Sequence, residues 1–516
     1  MIVWERVFSG SNVEIRGRIH DNEGNAVSPI VSITNSGLCR NPCVTWLSEH
    51  GRYLVVWEQD DRVRAQLFDD TTGAPPGNAH WISTPANGAR DQRPDVASSG
   101  SEYAAITWDR TGAGLNHPNQ IMLAHGKWGW GGLNFEDTTV VQTVSPSSGY
   151  VRGPRLPHSL ARYAMSSYPG TESYYPHLAW ERFWSLPAPG DTDILHARFR
   201  VTDAQTWHPT IEADLAPANV LGASEWGVDE VTPSIARTSE IWLTGSSILI
   251  AWDDDGDIRA TRNPHTIFAD HFAVRATSAI QSMPAVGGGY CDFTVSYAEA
   301  NPATPFSKNI LTARVLPGGI VPVSDRPIDI LNGPNQGGLR VASAPAGTGS
   351  TQDRTSTQLL VWWGETGIGA GARDVRARFF EPVAPNTFPY GAACSGPGQS
   401  LPQIGMANGN PIPGNDTFRF TISNGPPNSI AILMVSDLFT TTALPGAPGC
   451  NLYVGLPLIS TTPAVVLGNG MGSLIMPIPP CVPHGTALAF QWTVFTPGWN
   501  PLGLVFSDDL DISWTH

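Results

Sequence analysis

Charge is scarce in this chain, and lysine scarcer still. Charged residues make up 15% of the 516 positions, and of the 30 basic residues only Lys127 and Lys308 are lysine. Against 45 acidic residues this leaves a net charge of −15. That balance excludes the basic footprint a nucleic-acid-binding surface needs. No apolar run approaches the roughly 18 residues of a membrane helix, so no membrane span is expected. The six cysteines form no CxxC or CxxCH, which excludes zinc-ribbon and c-type haem readings. HExxH, a GxSxG elbow and a phosphate-binding loop are missing too, as is the SxDxGxTW box of sialidases. No cofactor and no metal ion is expected.

Glycine and proline are plentiful, 53 and 45 residues, so turns are frequent. An even cysteine count in such a chain favours disulfides and an oxidising compartment. The opening Met1-Ile2-Val3-Trp4-Glu5 reads as a strand rather than a signal peptide, and the native chain is expected to extend upstream.

One unit recurs along residues 1–385. An apolar strand ends in an aromatic and an acid, at Trp4-Glu5, Trp57-Glu58, Trp108-Asp109, Trp180-Glu181 and Trp252-Asp253. Looser copies are Tyr297-Ala298-Glu299 and Trp363-Gly364-Glu365. A turn follows, then a strand with Gly or Ala in its third place: Gly17, Ala65, Ala124, Ala197, Ala260, Ala313 and Ala377. A further strand precedes most hairpins, often opening on proline, as at Pro42, Pro94, Pro233 and Pro284, with a blurred copy within 154–161. A fourth strand is expected after each hairpin, as at 78–83. Such a unit repeated about seven times reads as a β-propeller, whose radial closure leaves only short edges. Six blades is the alternative count. The first hairpin has no preceding strand. That gap calls for an upstream segment or for residues 381–393, whose prolines suit a linker better.

These repeats resemble the loosely defined "LVVWE…IxAQ" repeats of seven-bladed propellers in secreted bacterial proteins. The resemblance implies a fold and not an activity. Composition then shifts. Residues 386–516 hold only six charged side chains: Asp416, Arg419, Asp437, Asp508, Asp509 and Asp511. Short β runs alternate there with Gly/Pro turns, a β-sandwich pattern. The pieces Gly391-Ala392-Ala393-Cys394, Pro448-Gly449-Cys450-Asn451-Leu452 and Leu504-Val505-Phe506-Ser507-Asp508-Asp509-Leu510 resemble a C-terminal module of secreted planctomycete-type proteins. That resemblance implies a Cys394–Cys450 bridge. Cys39 and Cys43 are near enough in sequence for a local bridge. Cys291 and Cys481 are left to pair with each other or remain thiols. The expected fold is thus all-β: a seven-bladed propeller over 1–385 and a small sandwich over 386–516.

Candidate chemistry lies where the repeat is broken. Successive hairpin aromatics are 72 residues apart from Trp108 to Trp180 and again to Trp252, against 53 and 51 before. The first insertion carries His158, Arg162, Tyr163 and His177, the residue types a polysaccharide lyase uses to neutralise a uronate and move protons. The plainer reading is a surface insertion covering a blade. Trp128, Trp130 and Trp184 stand outside the repeat and are candidates for stacking on sugar rings, or for packing between blades. Asp253-Asp254-Asp255-Gly256-Asp257 looks like a calcium loop, but it aligns with the hairpin turn at Glu58-Gln59-Asp60-Asp61-Arg62, and Asp-Gly is turn chemistry. The repeat acids are expected to be structural, bonding backbone and pairing with Arg64, Arg259 and Arg376. The leading expectation is a secreted, extracellular module that binds glycans or a protein partner. The alternative is a lyase or glycosidase acting through the 150–184 insertion. Assembly through the nearly charge-free C-terminal domain is a further possibility.

Overall fold

The computed structural model describes the strands of the chain and most of their connections. Within residues 1–112 it describes all but 10–11, 22–24, 35–36, 48–49, 86–87 and 99–102. Between 113 and 385 it leaves out 113–118, 130–131, 145–148, 156–160, 165–170, 176, 185–190, 205–209, 220–229, 238–247, 263–269, 276–277, 289–292, 302–303, 316–325, 330–335, 344–357, 366–372 and 381–385. Within 386–514 it describes all but 397, 412–414, 416, 480–481 and 483–485. The protein is all-β, with no α-helix among the described residues. None of them forms a helix long and apolar enough to cross a membrane. Two compact units divide the chain, the first made of Met1–Pro345 and Gln358–Phe380, the second chiefly of Glu381–His516.

In the first unit the described residues form seven successive antiparallel sheets. The second sheet shows the pattern: Cys39–Leu47, Arg52–Gln59, Arg62–Asp69 and His80–Trp81 lie side by side in chain order. The third, fifth and sixth sheets repeat it with four strands each. The first sheet has three strands, Ile2–Ser9, Asn12–Arg18 and Val31–Ser32, and begins at the hairpin. Residues 386–390 do not fill the preceding place, because Asn386–Tyr390 pairs with Leu504–Trp514 in the second unit.

Local chemistry explains the hairpins. Asp60 and Asp61 both adopt positive φ, 52° and 61°, between paired Gln59 and Arg62. Asp255 and Gly256 do the same, at 49° and 91°, between paired Asp254 and Asp257. Two central residues at positive φ define the two-residue hairpin turn that follows strand twist. The aromatics then fill the space between sheets. Trp57, Trp108, Trp180, Trp252 and Tyr297 are almost wholly buried. Trp108 packs among Leu54 and Val56 of the sheet before it, and Trp252 against Ala179 and Ile194. In the seventh sheet the buried aromatic is Trp362, packed with Ala285, Ala298 and Ile310 of the sixth. The small third-place residues Ala65, Ala124, Ala197, Ala260 and Ala313 are also buried.

The fourth sheet departs from the pattern. Its first strand is Gly149–Arg155, earlier than the 154–161 stretch expected from the sequence. Residues 161–175 form an added hairpin, Ala161–Ala164 with Thr171–Tyr175. The long strand Asp191–Ala204 pairs with His177–Trp184 along one part and with Thr171–Tyr175 along the next. The insertion therefore lengthens the sheet.

In the second unit, five strands lie in the order Asn386–Tyr390, Leu504–Trp514, Thr486–Phe495, Ile430–Ser436, Ser460–Val465. Three more form a second sheet: Gln403–Ala407, Arg419–Ser423 and Gly472–Ile475. Phe418, Phe420 and Ile422 meet Leu433, Phe490, Trp492, Val505 and Ile512 in one core. Phe439–Ala443 pairs with Asn451–Val454 as a separate hairpin. A disulfide joins Cys394 to Cys450.

Candidate functional site

The repeat acids of the first unit act on backbone. Glu5 accepts the N–H of Asn41 at 2.7 Å, Glu58 that of Arg93 at 3.5 Å and Glu181 that of Thr232 at 2.8 Å. Asp109 accepts the N–H of Gly153. Each acceptor lies in a strand of one sheet, and each donor sits in the first strand of the next sheet. All four donors precede a proline and have positive φ, between 50° and 60°. The strand pairing slips by a residue there, so each is a β-bulge. For a residue other than glycine this conformation costs roughly 1–2 kcal/mol. The carboxylate of the preceding sheet holds the exposed N–H and offsets that cost.

The same bulges also reach the acid of their own sheet. The Asn41 amide donates to Glu58 at 3.0 Å. Arg93 grips Asp109 with Nε at 2.9 Å and Nη2 at 2.6 Å, and Arg152 pairs with Glu181. Burial pushes Glu58 above the ordinary carboxylate range, against the Asn41 amide and the Arg93 N–H. Burial likewise pushes Asp109 up to about 6, against the pull of Arg93. The arginines expected to pair with these acids go elsewhere. Arg64 donates to Gln59 and to the carbonyl of Ala79 and lies over Trp81, while Arg259 pairs with Asp254.

A second acidic group lies where the fourth and fifth sheets meet. Asp191, Asp193 and Glu230 bring ligand oxygens within 4.8 Å of one another. Asp193 sits opposite Arg182 in the strand pair and acts on its guanidinium. Three carboxylates could supply part of the six to eight oxygens calcium takes. No sequence signal marked this group, because 37 positions separate Glu230 from Asp193. The Asp253 loop, by contrast, is a turn: Asp253 accepts the N–H of Gly256 at 3.1 Å.

The sequence-predicted site residues do not gather into one described cluster. His177 is buried, with its Nδ1 3.0 Å from Nε2 of His196 and the two rings stacked. Arg162 and Tyr163 are consecutive in the added hairpin, opposite Tyr174 and Ser173. His158 and Trp130 lie outside the described residues, as do the side chains of Arg162, Tyr163, Trp128 and Trp184. Cys39 and Cys43 are not bridged. They lie four positions apart on one strand, opposite Gln59 and Val56. At about 3.3 Å per residue that exceeds the roughly 4.4–6.8 Å between α-carbons that a disulfide spans. Cys43 Sγ instead lies 3.2 Å from the carbonyl oxygen of Pro94. Cys291 and Cys481 lie outside the described residues.

The second unit holds a pocket of about 370 Å³ lined by Tyr390, Phe439, Thr440, Thr441, Tyr453, Asp509 and Asp511. Strand geometry explains its floor. Asp509 and Asp511 are two apart on Leu504–Trp514, hence on one face, and Tyr390 sits directly opposite Asp509. Tyr390 and Phe439 are half exposed, at 53% and 50%. Tyr453 is buried and meets Tyr390 edge to face, with centroids 5.5 Å apart. Its hydroxyl accepts the N–H of Ala392 at 2.9 Å, and its own N–H donates to Gln491 at 3.0 Å. Gly391 makes room for this ring: at φ +75°, a β-carbon there would lie 2.3 Å from Tyr453 Cζ. The Cys394–Cys450 bridge ties together the two segments that carry Tyr390 and Tyr453.

The two carboxyl groups are electrostatically strained. Asp509 is 1% exposed, and no protein donor reaches its Oδ1 or that of Asp511. Burial, then the neighbouring Asp511, pushes Asp509 up to about 8. Burial raises Asp511 as well. At neutral pH the pair therefore holds a proton between its two members. With that proton engaged between them, the two carboxyl groups present acceptor oxygens to a ligand.

No protein-family model matches the chain, and no curated protein matches it. Among solved structures it is similar to an exo-β-1,3-galactanase from Phanerochaete chrysosporium, at 10% identity over 96% of this chain and 98% of that one, with a TM-score of 0.28. It is similar to an α-L-arabinofuranosidase from Fusarium graminearum at 11% identity, over 72% and 97% of the two chains, TM-score 0.38. A polysaccharide lyase matches at 8% identity over 73% and 89%, TM-score 0.40. Likeness at this level assigns no activity.

Proposed function

We propose that the protein is a secreted seven-bladed β-propeller followed by a β-sandwich, and that it works as an extracellular glycan-binding module. Seven successive sheets, the first five fastened in turn by carboxylate-to-bulge bonds, support the propeller reading. Two sheets sharing one core support the sandwich, and the Cys394–Cys450 bridge supports an oxidising compartment. One observation carries the binding role: the pocket of Tyr390, Phe439 and Tyr453 over two carboxyl groups. Half-exposed aromatic rings offer faces for the C–H side of a sugar, and the acids offer partners for its hydroxyls.

Binding is favoured over hydrolysis by the spacing of the acids. Glycosidases hold their two carboxyl groups about 5–9.5 Å apart to flank a glycosidic bond. Here the two are close enough to share a hydrogen bond. The lyase reading loses His177, which is buried against His196. A glycan array probed with the full chain tests the proposal. Wild-type protein is expected to retain at least one glycan class, and Tyr390→Ala and Phe439→Ala to lose it. Retention of no glycan, or equal retention by both variants, overturns it.

A further inference from the structure

The pocket floor is unusually specific in what it lacks. Among residues 386–516 the only arginine or lysine is Arg419, with His484 and His516 the two histidines, and Arg419 lies on the Arg419–Ser423 strand, opposite Ala407 and Ile475. None of the lining residues is basic. The charged and titratable groups around Asp509 are Asp508 and Asp511 on its own strand, Tyr390 on the strand beside it and Tyr453 on the Asn451–Val454 strand. The strand on its other side presents neutral Gln491 opposite Asp509. Gln491 is already bonded to the N–H of Tyr453 and to the carbonyls of Asn451 and Ser507. The pair's two Oδ1 atoms thus have no donor from the protein, and the hydroxyls of a ligand can supply one.

Resting on the glycan-binding reading, we propose that Asp509 and Asp511 select an uncharged sugar by gripping two adjacent hydroxyls, while Tyr390 and Phe439 stack on its ring. A hydroxyl can donate, which matches the acceptor oxygens of two carboxyl groups whose one proton is held between them. Bonds to a charged acceptor are the stronger kind. A uronate or sulfated sugar would set an anion against buried Asp509 and half-buried Asp511 with no basic residue among those lining the pocket, an arrangement like-charge repulsion disfavours. The proton the pair holds to about pH 8 supports this role, because losing it breaks the bond between the two carboxyl groups and doubles the negative charge. Binding is therefore expected to be steady from pH 5 to 7 and to weaken above 8.

The test is calorimetric titration of the full chain with cellohexaose, xylohexaose and mannohexaose, and with hexagalacturonate, in EDTA and again in calcium. The variants are Asp509→Asn, Asp511→Asn and Asp511→Ser, each checked for an unchanged circular dichroism spectrum. The expected result is binding of a neutral hexasaccharide and not of hexagalacturonate, in either buffer, weakened roughly tenfold or more by each Asp511 change. If wild-type protein binds none of the four and a glycan array is also blank, the glycan-binding reading itself fails. If wild-type binds but the folded variants bind equally, the pair is not the reader. Hexagalacturonate bound as tightly as the neutral sugars, or binding lost in EDTA, overturns the inference in favour of an anion-tolerant or cation-bridged site.

Discussion

The backbone N–H of Thr232 donates to the carboxylate of Glu181 across 2.8 Å, and so fastens the fifth sheet of the first unit to the fourth. Thr232 holds φ at 52° just before Pro233, a position disfavoured twice over. Glu181 is buried and also pairs with Arg152. Glu181→Ala should therefore leave a part-buried N–H and an arginine without their acceptor, at about 1–3 kcal/mol. Thr232→Gly keeps the N–H and relieves the backbone, so it should cost nothing or stabilise slightly. Urea unfolding of both variants checks the pair. Equal losses would show that the bond does not hold the bulge.

How far this arrangement is legible in sequence depends on the element. The hairpins are legible because their turn residues and terminal aromatic–acid pairs are local. The prolines at 42, 94, 154, 233 and 284 are legible too, and each marks a bulge one residue earlier. Which side chain answers each acid is not legible. Arg64 and Arg93 look equivalent by type, and only the bulge geometry brings Arg93 to Asp109. The 161–175 hairpin was hidden because its tyrosines and arginine read as chemistry. Two strands of the second unit, Asn386–Tyr390 and Ser460–Val465, were hidden by Pro389 and Pro463. Both strands are edges, where proline is tolerated. The pocket joins residues from 390 to 511. Its one sequence cue was Asp509 and Asp511, two apart in a segment with six charges.

The disulfide should matter for both stability and the pocket. Cys394 and Cys450 are 56 residues apart, a closed loop worth roughly 4 kcal/mol in the chain-entropy account. A Cys394→Ser, Cys450→Ser double variant should lower the melting temperature of the second unit. It should also weaken sugar binding, because the bridge sits four residues from Tyr390 and three from Tyr453. Scanning calorimetry with and without reductant reads the first effect. An unchanged melt would mean that the core of Phe420, Phe490 and Trp492 holds the unit alone.

Gly391 has two reasons to be glycine: its φ of +75° and the ring of Tyr453 against its α-carbon. Gly391→Ala should push Tyr453 off its bonds to Ala392 and Gln491. A destabilisation of about 1–3 kcal/mol is expected from backbone strain plus overpacking. The Tyr453→Phe, Gly391→Ala double variant should be no better, since the clash is with the ring and not the hydroxyl. Recovery of stability by a smaller residue, Tyr453→Leu, would confirm the contact. Failure of Gly391→Ala to destabilise would refute it.

The pH profile of the second unit follows from Asp509. Its ordinary carboxyl value of 3.8 applies when the chain is unfolded, and burial with Asp511 raises it to about 8 in the fold. A raised value means that the folded state binds the proton more tightly. The stabilisation is therefore complete below about pH 4 and declines as pH rises through 8. Asp511 is raised in the same direction by burial and adds to the slope. Asp509→Asn removes the titrating group while keeping a donor toward Asp511. Its melting temperature should be flatter between pH 5 and 9 than that of the wild type, and higher than the wild type at pH 9. Scanning calorimetry of wild type and variant across this pH range, read at the transition that the Asp509 change shifts, supplies the measurement. A wild-type profile that rises over this range, or a variant that tracks it, would mean that Asp509 is ionised in the fold.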